Sequence, residues 1–243
     1  MSNMRFDILT IFPEMFIPVL TESVIGRAIK NGIIEINTIN IRDFSTDKHL
    51  KTDDYPYGGG TGMVMTPQPI YDAWQSVIRD LEYKPKLIYL SPQGTQFTQK
   101  KALELADEKH LILLCGHYEG IDERIIELIV DEEISIGDYV LTGGEIPTMV
   151  VIDCVSRLLP GVLPSDEAFL NESHINGLLE YPQYTRPPEF MGLSAPEILL
   201  SGHHANIEKW RFEMSLKCTA EKRPDLYEIY ERSEGGNRLN KKE

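Results

Sequence analysis

The chain has 243 residues, of which 42% are hydrophobic and 26% charged, and its formal net charge at pH 7 is −14. This composition is close to the average for globular proteins and argues against wholesale disorder. No apolar run approaches the roughly 20 residues that a membrane-spanning helix needs, and the acidic balance alone disfavours nucleic-acid binding unless basic residues cluster locally.

The first predicted element is a strand with the sequence RFDILTIF at 5–12. The start of the chain, MSNMRFDILTIFPEMF, has an early acid and a proline and lacks a small-residue cleavage site, which argues against a signal peptide. The apolar spacing then predicts a helix from Glu14 to Lys30, which ends at Gly32. The alternating sequence IIEINTINI at 33–41 predicts a half-buried strand.

Short apolar runs farther along the chain predict further strands: KLIYLS, LILLC and EEISI at 86–91, 111–115 and 132–136. Helical stretches are predicted at 99–109, 122–130 and 147–159. Strands that alternate with helices predict an α/β fold with a mainly parallel sheet and helices on both faces. Ligands of such sheets bind at the carboxyl ends of the strands.

Two long segments, 42–66 and 160–192, lack periodicity and are expected to be functional loops or linkers. Beyond them the pattern is helical at 193–202, 204–222 and 223–233, and the tail from 234 onwards is expected to fray. Basic residues in this part predict either a surface for a polyanion or an ordinary solvated helix face. They are Lys209, Arg211, Lys217, Lys222 and Arg223.

The cysteines Cys115, Cys154 and Cys218 are odd in number and lack CxxC spacing. This pattern gives poor support to a disulfide framework or a zinc site and is typical of a cytoplasmic protein. Cys115 and Cys154 lie in apolar runs and are predicted to be buried thiols.

Glycine-bearing loops follow the last three predicted strands, at 90–94, 116–120 and 137–145. Meeting at one edge of the sheet, they would form a pocket lined by main chain, which suits a cofactor with adenine, ribose and amino-acid groups. A single such loop is more often a turn than a site. Nucleotide signatures of the GxGxxG and GxxxxGK[ST] types are missing. Asp122 and Glu123, beside His117 and Glu119, are interpreted as helix-capping acids rather than metal ligands.

Several segments taken together resemble the bacterial tRNA (guanine-N1)-methyltransferases, the TrmD family of the SPOUT class. The resemblance runs in order from about residue 4 to residue 227. It rests on YPYGGGTGMVM (55–65), YLSPQG (89–94), CGHYEGIDER (115–124), SIGDYVLTGGE (135–145), SRLLPGVL (156–163), GLLEYPQYTRP (177–187) and LLSGHHANIEKWR (199–211).

The resemblance implies a SPOUT α/β domain at 1–162 whose C-terminal part forms a deep trefoil knot. It also implies a flexible linker at 163–176 that carries the catalytic base, and a small helical tRNA-binding domain at 177–243. The expected protein is a homodimer with active sites at the interface. It would use S-adenosylmethionine, with Mg²⁺ as an assisting ion, to methylate N1 of guanosine 37, just 3′ of the anticodon, when another G precedes it.

Carried over residue by residue, the family's cofactor pocket corresponds to parts of the three glycine loops and the positions that flank them. The residues are Tyr89, Leu90, Ser91, Pro92, Gly116, Tyr118, Glu119, Gly120, Ser135, Ile136, Gly137, Asp138, Tyr139, Val140, Leu141, Gly143, Gly144 and Pro147.

The catalytic arginine of the family matches Arg157, which would stabilise negative charge on guanine O6. The family's proposed base is an aspartate in an Asp-Ser-Phe segment, but this chain has Glu172-Ser173-His174 there. Glu172 is therefore the candidate base for the N1 proton, with Asp166 and Asn171 as nearby alternatives. Alternatively, Arg157 forms a structural ion pair with Asp153, and Glu172 is an exposed carboxylate of the linker without a catalytic role.

Other functions remain open from the sequence. The chain could be another SPOUT enzyme that acts on a ribose 2′-OH or on ribosomal RNA, or a non-catalytic RNA-binding module. The segment at 177–187 and the helical C-terminal part disfavour the first, and the intact Arg157 and cofactor loops disfavour the second.

Overall fold

The computed structural model describes residues 4–165, 169–170 and 172–239. By its internal contacts the chain divides into two compact units, Met1–Asp166 and Glu167–Glu243. This division falls inside the segment predicted as a linker.

The first unit begins with strand β1 (Met4–Thr10), a short 3-10 helix (Pro13–Phe16), α1 (Ile17–Thr21), α2 (Ser23–Lys30) and β2 (Ile34–Asn40). The prediction of one continuous helix from Glu14 to Lys30 is wrong, because Glu22 has an extended backbone between α1 and α2. The Thr21 hydroxyl donates to the Ile17 carbonyl at 2.8 Å. Such a bond from a side chain back to the preceding turn bends helices.

The segment that lacked periodicity contains a 3-10 helix (Ile41–Phe44) and a small hairpin, in which β3 (Asp53–Asp54) pairs antiparallel with β4 (Val64–Met65). Helix α3 (Pro67–Ile78), which has no counterpart among the predicted helices, follows directly. It buries Ile70, Ala73 and Trp74 in the core.

The remaining elements of the first unit agree in type with the predictions. They are β5 (Lys86–Gln96), α4 (Gln99–Ala106), β6 (His110–Cys115), α5 (Glu123–Ile129), β7 (Glu132–Ser135) and α6 (Glu145–Ser156). Strand β5 is longer than predicted, since its pairing with β7 resumes at Thr95 after an irregularity that begins beyond Leu90.

A five-stranded sheet in the order β2-β1-β6-β5-β7 forms the centre of this unit, and every pairing in it is parallel. The predicted mainly parallel sheet is thus confirmed. All six residues of β6 are buried, as expected for a strand that is covered on both faces. Because β6, β5 and β7 are neighbours, the loops after these strands lie at one edge of the sheet.

The second unit contains a two-stranded antiparallel pair, β8 (Glu189–Phe190) with β9 (Leu193–Ser194), and then helices α7 (Glu197–Leu200), α8 (His204–Lys222) and α9 (Pro224–Leu239). Helix α8 has the predicted bounds, α7 is shorter than predicted, and α9 continues past Ser233. Within the described residues, no helix is both long and apolar enough to cross a membrane.

Candidate active site

A pocket opens at the carboxyl ends of β5, β6 and β7, where the three glycine-bearing loops meet. Every residue predicted to bind the cofactor lines this pocket, except Asp138. The wall also includes residues that were not carried over from the resemblance, namely Gln93, His117, Ile134 and Thr142. All four lie in or beside the motif segments, so reading whole segments rather than single matched positions would have found them.

The first loop bulges out of β5 between Leu90 and Thr95. Its Ser91 side chain is nearly buried, and the Ser91 hydroxyl accepts from the Gln93 backbone N–H at 3.1 Å. Directly after β5, the Phe97 backbone N–H donates to the Ser135 carbonyl at 2.7 Å. The end of β5 and the start of the third loop are therefore held together by main chain.

The second and third loops are in direct backbone contact, since the Gly144 N–H donates to the Gly116 carbonyl at 2.9 Å. A Cβ added at Gly144 would lie 2.8 Å from the Cys115 Cα and 3.0 Å from the Gly116 backbone nitrogen. Backbone cannot move aside as a flexible side chain can, so this approach requires glycine. The predicted pocket lined by main chain therefore depends on glycine, because the second and third loops pack backbone against backbone at Gly116 and Gly144.

The floor of the pocket includes Tyr89, which is only 6% exposed. Burial, helped by the negative charge of Glu133, raises the pKa of Tyr89 to about 12. At neutral pH the phenol therefore stays protonated and can act as a hydrogen-bond donor.

Glu145, the first residue of α6, is a buried carboxylate beside the pocket and is 1% exposed. The Thr10 hydroxyl, at the end of β1, donates to Glu145 Oε1 at 2.8 Å. Glu145 Oε2 lies 3.7 Å from His117 Nε2, in the second loop. One carboxylate therefore connects β1, the second loop and the start of α6. The resemblance assigned no role to Glu145 or Thr10. The only signal in the sequence was the position of Glu145, an acid directly after Gly143 and Gly144.

Arg157 lies at the C-cap of α6, and its backbone N–H donates to the Asp153 carbonyl at 3.2 Å. Its positive charge opposes the rise that burial causes in the pKa of Cys154. Gly144 and Pro147, at the other end of α6, line the pocket, whereas Arg157 does not. At a rise of 1.5 Å per residue, Glu145 and Arg157 are roughly 18 Å apart along the helix.

Glu172 belongs to the second unit and is half-buried. Its backbone N–H donates to the Phe169 carbonyl at 3.1 Å, and its carbonyl accepts from the Ile175 N–H at 3.4 Å. The neighbouring Ser173 hydroxyl accepts from the Glu180 N–H at 2.9 Å. The segment around Glu172 is thus folded into turns of the second unit. The alternative bases Asp166 and Asn171 lie outside the described residues.

The basic residues of the second unit are largely paired with acids near them in sequence. Arg211 contacts Glu208 at 2.6 Å, and Arg223 contacts Asp225 at 2.6 Å. Lys209 and Lys217 lie 3.9 and 4.0 Å from Glu213 and Glu221. Exposed pairs of this kind stabilise little, so phosphates can compete for these cations. The local surface is nevertheless less basic than the sequence suggested.

Among the described residues, no group of three or more His, Cys, Asp or Glu side chains is arranged to hold a metal ion. Asp122 instead caps α5, because its carboxylate accepts from the Arg124 backbone N–H at 3.0 Å. This agrees with its interpretation as a capping acid.

A parallel α/β sheet with a glycine-lined pocket at its carboxyl edge places the protein among the α/β proteins that bind their ligands at that edge. The family model described as tRNA (Guanine-1)-methyltransferase TrmD matches residues 4–229. The chain belongs to this family.

Relatives named tRNA (guanine-N(1)-)-methyltransferase support this assignment. A protein of Ruminiclostridium cellulolyticum is 66% identical over 92% of this chain and 96% of its own length. A protein of Lachnospira eligens is 57% identical over 93% and 96%, and one of Clostridioides difficile is 57% identical over 92% and 97%.

Proposed function

We propose that the protein transfers a methyl group from S-adenosylmethionine to N1 of guanosine 37 in tRNA, where another G precedes that guanosine. The observation that carries this proposal is the pocket formed by three interlocked loops in a chain that belongs to the tRNA (guanine-1)-methyltransferase family. The loops offer backbone donors and acceptors, the buried Ser91 hydroxyl and the Tyr89 phenol to the adenosine and amino-acid groups of the cofactor.

When bound, S-adenosylmethionine supplies an electrophilic methyl group on a sulfonium. Guanine N1 carries a proton at neutral pH, so a base must remove it as the methyl group arrives. Glu172 is the proposed base. As the proton leaves, negative charge develops on O6, and the permanently charged guanidinium of Arg157 stabilises it there. The target base is stacked in the anticodon loop and flips out to reach the pocket.

A second copy of the chain completes the site in this proposal. Arg157 lies at the opposite end of α6 from Gly144 and Pro147, which line the pocket of its own chain. An apolar surface is also exposed near the start of α6, on the 3-10 helix, α1 and α6. It is formed by Phe12, Met15, Ile17, Val19, Ile146 and Val150. Phe12, Met15 and Ile146 line one shallow pocket. Exposed apolar surface usually marks protein interfaces, and a symmetric dimer would cover both copies at once.

The finer organisation of the family is proposed for this chain as well. The strand and helix order of the first unit is compatible with a SPOUT domain whose C-terminal part forms a trefoil knot, with 163–176 as the linker and 177–243 as the tRNA-binding part. Mg²⁺ stays an expectation from the resemblance, and no step is assigned to it.

The test is methyl transfer from labelled S-adenosylmethionine to unmodified tRNA, followed by digestion and mass spectrometry of the nucleosides. We expect 1-methylguanosine as the product. A 2′-O-methylated nucleoside would indicate the alternative SPOUT activity. Binding of tRNA without any methylated product would favour the non-catalytic RNA-binding module.

A further inference from the structure

The hairpin formed by β3 and β4 ends in a tip with two tyrosines in the solvent. Tyr55 is 78% exposed and Tyr57 98% exposed. The tip, residues 55–62, reads YPYGGGTG and carries no charged side chain. Around Gly58 and Gly59 there is open space, since a Cβ there would meet no atom within 4 Å. The two rings therefore lie on an uncharged and uncrowded tip.

The base of the hairpin, in contrast, is fixed to the second loop of the pocket. The Glu119 N–H donates to the Met63 carbonyl at 3.0 Å, and the Met65 N–H donates to the Gly120 carbonyl at 2.9 Å. A Cβ added at Gly62 would lie on the Glu119 carboxylate, 2.8 Å from its Cδ. Main chain and close packing thus hold the tip beside the wall that contains Glu119 and Gly120.

The chemistry of the tip favours one kind of partner. Phosphates are recognised by cations, and the tip has none. Unpaired bases stack on aromatic side chains, and every base has a face that can do so. An unpaired base beside the pocket is therefore the ligand that these rings suit.

We propose that Tyr55 and Tyr57 form a stacking surface for unpaired bases of the anticodon loop, beside the pocket where the target guanine reacts. This inference rests on the proposed function and extends it to how the RNA loop is held. The tyrosines position the RNA and take no part in proton or methyl transfer.

The test compares Tyr57→Ala and Tyr57→Phe in the full-length protein. The control is Leu128→Ala, which removes another exposed apolar side chain, 70% exposed on α5. Dissociation constants are measured for unmodified tRNA by fluorescence anisotropy and for S-adenosylmethionine by calorimetry. Loss of one stacked base corresponds to a roughly 5- to 150-fold weaker tRNA affinity. We expect that loss for Tyr57→Ala, with near-normal affinity for Tyr57→Phe and Leu128→Ala and unchanged cofactor affinity throughout.

Unchanged tRNA affinity in Tyr57→Ala would overturn the inference. An equal loss in Tyr57→Phe would also overturn it, since the hydroxyl and not the ring would then be responsible. Sedimentation of Tyr57→Ala as a smaller species than the wild type would show that the ring faces a second copy of the chain instead. The tRNA affinities of these variants are measured without methyl transfer. If the wild type methylated another atom, the proposed function would be refuted, but the comparison of tRNA affinities would still test the stacking surface.

Discussion

Glu172 is the proposed base, at a position where the resemblance implies an aspartate, and the chemistry of glutamate suits that role. Glutamate and aspartate side chains both ionise near pH 4 when unperturbed, so either can accept a proton at neutral pH. Glutamate is longer by one methylene, which changes its reach. The structure shows the backbone of Glu172 held by a turn of the second unit. The side chain, rather than the backbone, must therefore adapt to the longer reach.

Replacing Glu172 with Gln should lower single-turnover methyl transfer on the order of 100- to 10,000-fold, which is the usual contribution of a general base. Glu172→Asp should retain part of the activity, because it keeps the carboxylate. Cofactor affinity, measured by calorimetry, should stay near normal in both variants, since Glu172 does not line the pocket. Near-normal turnover by Glu172→Gln would exclude it as the base and make Asp166 the next candidate.

Asp7 is a second residue whose ionisation matters, here for stability. Burial raises the pKa of this carboxyl, but hydrogen bonds from His110, Arg5 and Asn37 outweigh burial and hold the pKa below its usual value. The folded state therefore favours the carboxylate. Its contribution is present above the unfolded pKa of about 3.9 and is lost as the pH falls below that value.

Asp7→Asn should lower the free energy of unfolding at pH 7 by about 2–4 kcal/mol, because a buried carboxylate with three partners is lost. The difference from the wild type should shrink when urea unfolding is repeated below about pH 4. Glu108→Gln, which changes an exposed acid, serves as the control. A difference that stays constant or grows as the pH falls would contradict the assignment.

At the scale of elements, the sequence predicts the strands and helices around the pocket because each is bounded by a glycine loop or a cap. It misses α3, although Ile70, Ala73, Trp74 and Val77 have helical spacing, because Pro67 and Pro69 look like loop residues. Both prolines lie in the first turn, where their missing N–H groups cost nothing. The break at Glu22 was also missed, since apolar spacing continues across it.

The family resemblance predicted most of the residues that line the pocket, but the Thr10–Glu145 contact could not be predicted. These two residues are 135 positions apart, and nothing local in the sequence indicates that they meet. The fold brings them together because β1 lies beside β6, and the third loop contacts the loop that follows β6. Contacts of this kind depend on strand order, which periodicity does not reveal.

Thr10→Val keeps the shape of the side chain but leaves the buried Glu145 Oε1 without its hydroxyl donor. The expected loss is about 1–3 kcal/mol in the free energy of unfolding, measured with urea. Because Glu145 begins α6 directly after Gly143 and Gly144, the affinity for S-adenosylmethionine should also fall. Thr10→Ser restores the hydroxyl and should recover both properties. If Thr10→Ser behaves like Thr10→Val, the hydrogen bond is not the cause.

At the scale of the whole molecule, the net charge of −14 must be reconciled with an RNA substrate. The ion-paired lysines and arginines of the second unit can exchange their carboxylate partners for phosphates. The uncharged tyrosine rings at the hairpin tip can bind RNA by stacking, which requires no positive charge. Binding should therefore be modest and should weaken with salt. A second copy of the chain would bring additional basic side chains, among them Arg157, to each site.

Ile17→Asp tests this assembly, because it places a charge on the most exposed of the apolar side chains proposed to form the interface. We expect the wild type to sediment as a dimer and Ile17→Asp to sediment as a monomer with little methyl transfer. Leu128→Asp, on an exposed position of α5, should remain dimeric and active. A wild-type monomer with full activity at working concentration would contradict the shared site.

The most direct test of the central claim is to map the methylated nucleotide by primer extension, since methylation of N1 blocks base pairing. The substrates are an unmodified tRNA with G at positions 36 and 37 and two variants in which one of these is replaced by A. We expect a strong stop at position 37 in the first tRNA, none in the variant that lacks G37, and a weak one in the variant that lacks G36. A stop at another position, or methyl incorporation that leaves no stop at 37, would contradict it.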